Sequence, residues 1–145
     1  MAIKQSKPKE AHAFLTANPA ALYLDVRSEP EFAAGHPSGA INIPVMFVKA
    51  GQMQLNPDFV EIVEKVLPKN KTLVVGCMAG GRSQRACDML EDAGFTDLTN
   101  VVGGYGGQRD QNGTIVVTGW KDEGLPTDTA LGDATYEAQK KKAGL

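Results

Sequence analysis

The run Thr72, Leu73, Val74, Val75, Gly76, Cys77, Met78, Ala79, Gly80, Gly81, Arg82, Ser83 constrains this chain more than any other stretch. An apolar, strand-like segment ends abruptly at a cysteine, small residues and an arginine follow, and then Ala86, Met89, Leu90 and Ala93 recur at three- and four-residue spacing before Gly94. That periodicity predicts a helix with a glycine C-cap. The order is therefore strand, cysteine, tight loop, helix. Backbone N–H groups entering a helix have no intrahelical partners and share the positive end of its dipole, so anions gather there. A cysteine held at such a place is favoured as its thiolate, which is the reactive form. Two glycines allow the backbone to curl around it. The competing reading is a buried structural thiol, because cysteine is among the most often buried residues.

The rest of the chain predicts the scaffold. Ser6 and Pro8 followed by Ala11, Phe14 and Leu15 read as a capped helix that stops near Asn18 and Pro19. A strand is expected over 21–26. Ser28 and Glu31 then stand in capping-box relation with Pro30 in the first turn, which predicts a short helix that carries Phe32 inward and ends by Gly35. Gly35 to Pro44 reads as a turn leading into a brief strand over 40–43. Residues 45–55 show no clear period and read as a loop, with Met46, Phe47 and Val48 packing down or forming a site wall. Asn56 and Pro57 open a helix with Phe59, Ile62, Val63, Val66 and Leu67 on one face. A further strand is expected over 98–102, and Asn112 and Gly113 mark a hairpin turn. Short apolar strands alternating with helices imply an α/β domain: a mostly parallel central sheet covered on both faces, with ligands beyond the carboxyl ends of the strands.

At 145 residues and 42% hydrophobic content the chain can close one sizeable core, so a single domain over 1–145 is expected, with a hairpin insertion at about 108–119. A net charge of −2 supplies no basic surface for nucleic acid, and Lys140, Lys141 and Lys142 read as a solvated run. The N-terminus lacks the apolar core of a secretory signal and no stretch approaches membrane-spanning length, so a cytoplasmic protein is expected. Cys77 and Cys87 lie too far apart for a C-x-x-C pair or a zinc set, and His12 and His36 complete no metal site.

Taken together, the segments LDVRSEPEFAAGHPSGAINIP at 24–44, GQMQLNPDF at 51–59, VVGCMAGGRS at 74–83, LEDAGFTDL at 90–98, VVGGYGG at 101–107 and GLPTD at 124–128 resemble the rhodanese-like sulfurtransferases. The likeness is to the single-domain members of the plant senescence-associated type and their bacterial relatives. The family's loop reads C-x-x-G-x-R, and Cys77, Gly80 and Arg82 occupy those positions. The resemblance implies that Cys77 accepts sulfane sulfur as a persulfide, cradled by the amides of Met78, Ala79, Gly80, Gly81 and Arg82 with Ser83 at the rim. Arg82 would hold an anionic donor near the mouth. It further implies thiosulfate or another sulfane-sulfur donor, cyanide or a thiol as acceptor (a thiol protein included), and neither cofactor nor metal.

Asp25, Arg27 and His36 read as structural supports of that loop rather than reacting groups, and Cys87 as a core filler. Two departures from the family pattern stand out. Met78 occupies a position often basic or polar in thiosulfate-using members, and Gln108 replaces an aromatic residue that Trp120 recovers after the insertion. Phosphatases and arsenate reductases of the same fold use C-x5-R, whereas Arg82 completes C-x4-R and Ser83 stands where they need arginine. The tighter loop suits a single sulfur atom.

Overall fold

Five short parallel strands run side by side through the centre of the computed structural model, which describes residues 3–145. They are β1 (Lys4–Ser6), β2 (Leu22–Asp25), β4 (Ile41–Asn42), β7 (Leu73–Gly76) and β8 (Leu98–Val101), in the order β1-β8-β7-β2-β4. Leu24 faces Val75 in the register of β2 and β7, and Val75 faces Asn100 in that of β7 and β8. Parallel strands need crossover connections, and the helices supply them. These are α1 (Pro8–Ala17), α2 (Glu29–Ala34), α3 (Phe59–Val66), α4 (Gly81–Asp92) and a terminal α5 (Tyr136–Lys142).

Side-chain alternation along the central strands divides the core in two. Leu24, Val26, Leu73 and Val75 point to one face, where Ile62 and Val63 of α3, Cys87 and Leu90 of α4, and Tyr136 of α5 cover them. Tyr23 and Val74 point to the other, against Ala11 of α1, Phe32 of α2 and Trp120. Helices thus cover both faces, as the sequence pattern requires. Trp120 seals the second cluster, edge-on to Tyr23 with ring centroids 5.4 Å apart, and donates its indole N–H to the Pro126 carbonyl at 2.8 Å.

Three small antiparallel ribbons decorate this frame. β3 (His36–Pro37) pairs with β11 (Thr127–Asp128), which ties the GHPSG turn to the GLPTD segment. β9 (Gln108–Arg109) pairs with β10 (Ile115–Val117) around Asn112 and Gly113. The Trp120 N–H donates to the Gly104 carbonyl and the Lys121 N–H to that of Tyr105, so the chain leaves and rejoins the frame at one place. β5 (Met46–Lys49) pairs with β6 (Gln52–Leu55) in the third.

This third ribbon replaces the loop expected over 45–55. Its turn places Ala50 at φ 51° and Gly51 at φ 76°, the left-handed pair that a tight hairpin needs, without the Asn-Gly signature. The expected Ser6 cap is likewise displaced. Lys7 occupies the N-cap of α1 and donates its N–H to the Glu10 carboxylate at 2.8 Å, while Ser6 belongs to β1 and its carbonyl accepts from the Val102 N–H. The run of three lysines lies on α5, which Thr135 caps by accepting the Ala138 N–H at 3.1 Å and which buries Tyr136 and Gln139.

Candidate active site

Cys77 lies at the carboxyl end of β7, 2% exposed, with its sulfur turned toward the start of α4. The Gly80 N–H donates to Sγ at 3.0 Å, and the Ser83 hydroxyl stands 3.4 Å from it. α4 begins at Gly81, so the amides of Gly81, Arg82 and Ser83 are first-turn groups without intrahelical acceptors. Gly80 makes this curl possible at φ 113°, a conformation closed to most side chains.

The loop is held by the segment that follows the double glycine after β8. The Tyr105 N–H donates to the Cys77 carbonyl at 2.8 Å and the Gly106 N–H to that of Met78 at 2.9 Å. Both carbonyls thereby have backbone donors. The approach is so close that a Cβ on Gly104, itself at φ 52°, would collide with the Cys77 carbonyl oxygen. Met78 lays its thioether along Gly106 and Ala79 is exposed, so neither side chain brings a charge to the mouth.

Two arginine–carboxylate pairs flank the loop. Asp25, at the end of β2, binds Arg27 through both oxygens, with contacts of 2.8–3.1 Å. The same guanidinium donates to the Gly35 carbonyl at 2.6 Å and lies 4.4 Å from the Tyr105 ring centroid. His36 is 2% exposed, stacked on Phe32, and its Nδ1 donates to the Phe32 carbonyl at 2.8 Å. These three residues fix the turn beside the loop and do not touch the sulfur. Arg82 meets Glu31 in a second fork, at 2.7 and 3.0 Å. Glu31 also accepts from the N–H and hydroxyl of Ser28, so the capping box of α2 anchors the arginine of α4. Burial alone would raise the Glu31 carboxyl, but the hydrogen bonds from Arg82 and Ser28 and the arginine's charge bring it down to about 2.

The structure adds Asn100, which sequence reading passed over. Its Oδ1 accepts the Ser83 hydroxyl at 2.5 Å and its amide donates to Gln5 at 2.9 Å, so β1 and β8 together orient the serine beside the sulfur. The available signal was an amide side chain in a strand buried along its whole length. Cys87 lies behind the site on α4, and burial above all pushes its thiol up to about 12, so it stays protonated and inert at neutral pH. Met46 and Phe47 pack against the core, and the cavity of about 460 Å³ that Phe47 and Val48 line with Ser28, Glu29, Tyr136 and Lys140 includes no residue of the Cys77 loop, so these residues do not form a wall of the site. Among the described residues no cluster of three or more His, Cys, Asp or Glu could hold a metal ion, and no helix is long and apolar enough to cross a membrane.

A cysteine beyond the carboxyl end of the central strand of a parallel sheet, with its sulfur on the backbone that enters the following helix, defines an α/β domain with its candidate site at that helix entry. The chain belongs to the rhodanese-like domain family, whose model matches residues 7–122. Among relatives it is 43% identical over 105 residues to Thiosulfate sulfurtransferase 16, chloroplastic, of Arabidopsis thaliana, covering 72% of this chain and 78% of that one. It is also 43% identical over 83 residues to Senescence-associated protein DIN1 of Raphanus sativus, but that match spans only 45% of the radish protein and 57% of this chain. Among solved structures, Rv0390 from M. tuberculosis superposes with a TM-score of 0.75 at 27% identity, over 90% of this chain and 100% of that one.

Proposed function

We propose that this chain transfers sulfane sulfur from thiosulfate to a thiophilic acceptor, cyanide or a thiol, through a persulfide on Cys77. The observation that carries this reading is the sulfur itself, accepting the Gly80 N–H at 3.0 Å where the first amides of α4 converge. The Cys77 thiolate attacks the outer sulfur of thiosulfate, the S–S bond breaks, and sulfite departs with the electron pair. The amides already face the place where the terminal persulfide anion forms, so they stabilise it without reorganising. The acceptor then removes that sulfur and restores the thiolate. The name of the Arabidopsis relative supports the donor.

Treating the protein with thiosulfate should add one sulfur atom to the peptide carrying Cys77, detectable by mass spectrometry and removed by reductant. Cys77→Ser should abolish both this adduct and thiosulfate:cyanide turnover while leaving the thermal transition in place; retained turnover would falsify the assignment.

A second reading, delivery of sulfur to a protein thiol, is favoured by the hairpin β9–β10. Gln108 borders a cavity of about 280 Å³ beside Ala79, Gly80, Gln84 and Asn100, and Val116 at the far strand is 56% exposed. Shortening the hairpin between Gly107 and Gly119 should leave transfer to cyanide intact and weaken transfer to a protein thiol such as reduced thioredoxin. Equal rates to both acceptors in the shortened and full-length proteins would overturn this second reading.

A further inference from the structure

The cation that the loop itself supplies does not face the mouth as a free charge. Arg82 is locked in a two-pronged pair with Glu31, at 2.7 and 3.0 Å, and its side chain is only 12% exposed. Glu31 cannot swing aside freely, because its carboxylate also accepts from the Ser28 N–H at 3.0 Å and the Ser28 hydroxyl at 2.9 Å, and these bonds form the N-terminal box of α2. Arg27, on the other flank, is matched in the same way by Asp25. Met78 and Ala79 add no cation. A donor approaching Cys77 therefore meets dipoles of helix-entry amides and two neutralised arginine pairs. Amide dipoles hold one terminal anion well, but they do not distinguish a doubly charged donor from a singly charged one as a net cation does.

We propose that Glu31 sets the donor preference of this site: by cancelling Arg82 it removes the advantage that a free cation would give a dianionic donor such as thiosulfate, so that singly charged sulfane donors are taken as well. The inference rests on the sulfurtransferase reading above and concerns the charge of the donor it takes. Both chemistries balance. With thiosulfate, the Cys77 thiolate forms a new S–S bond to the outer sulfur and sulfite leaves as a dianion. With a thiosulfonate the same bond forms, and the sulfinate leaves as a monoanion. Glu31 acts here through Arg82 and is a positioning residue, not a reacting one.

The test compares the second-order rates at which thiosulfate and benzenethiosulfonate load sulfur onto Cys77, read by mass spectrometry, at low and high salt. Glu31→Gln keeps a carbonyl oxygen for Ser28 and Arg82 but removes the charge. It should raise the thiosulfate-to-thiosulfonate rate ratio about fivefold at low ionic strength, and the gain should shrink as salt screens the freed cation. Arg82→Met leaves Glu31 as an uncancelled anion and should move the same ratio in the opposite direction. A tie that serves only to hold the fold would change both donors alike, so an unchanged ratio in either folded variant overturns the proposal. Failure of both donors to load the unaltered protein would instead remove the sulfurtransferase reading, and this inference with it.

Discussion

Asp25–Arg27 and Glu31–Arg82 are two versions of one device, a forked arginine–carboxylate pair beside the same loop, and they differ chiefly in how far each is removed from water. The side chains of Asp25 and Arg27 are 1% and 2% exposed, whereas those of Glu31 and Arg82 are 26% and 12% exposed. The inner pair is woven into backbone. Asp25 also accepts the Arg27 N–H, Arg27 holds the Gly35 carbonyl, and the Asn42 amide donates to the carbonyls of both residues. The outer pair joins two helix starts across 51 residues of sequence. Burial decides what each pair can do. A sealed pair is a fixed part of the frame, because neither charge can exist there alone; at the rim, removing one partner leaves a charge that water can solvate and that whatever approaches can feel.

The largest expected effect comes from breaking the inner pair. Arg27→Met leaves the Asp25 carboxylate uncompensated inside the protein, which should cost about 3–5 kcal/mol of stability, measured by denaturant unfolding. Replacing both partners, as in Asp25→Leu with Arg27→Met, should recover part of that loss, since no lone charge remains. Arg82→Met should cost only about 1 kcal/mol, because Glu31 keeps its Ser28 bonds and some contact with water. Equal losses for Arg27→Met and Arg82→Met would break the comparison.

Legibility in the sequence follows the same division between what burial imposes and what distant contacts supply. The central strands β2, β7 and β8 and the helices α3 and α4 could be read because their buried positions demand apolar residues at fixed periods, and Ser28 with Glu31 announced α2 directly. The Cys77 loop was readable because glycines and a cysteine at a strand end are a local pattern. β1 was not, since Lys4, Gln5 and Ser6 are polar and become a strand only by borrowing the backbone of β8. α5 was hidden by its lysines. Its buried side is Tyr136, Gln139 and Ala143, and the Gln139 amide is drawn inward by the carbonyls of Asp133 and Thr135. The Glu31–Arg82 fork escaped for a different reason. Each residue already had a sufficient local role, as a cap and as a loop cation, and no local pattern in a sequence joins positions so far apart.

A smaller and more selective effect separates the pairs under acid. Glu31 has a folded-state value of about 2 against an ordinary 4.5, so its ionised form stabilises the fold. Because the folded value is the lower one, that contribution is complete above about pH 4.5, declines as the unfolded chain stops releasing the proton, and is gone once pH falls through 2. At neutral pH it should amount to about 1–2 kcal/mol after allowance for solvent screening at the rim. Glu31→Gln removes the titrating group while keeping a hydrogen-bond acceptor. The gap in thermal midpoint between the two proteins should therefore hold steady above about pH 5 and close between pH 4.5 and 2. A gap that persists unchanged down to pH 2 would mean that Glu31 contributes through its hydrogen bonds to Ser28 rather than through its charge, and the outer pair would then behave as a second piece of frame.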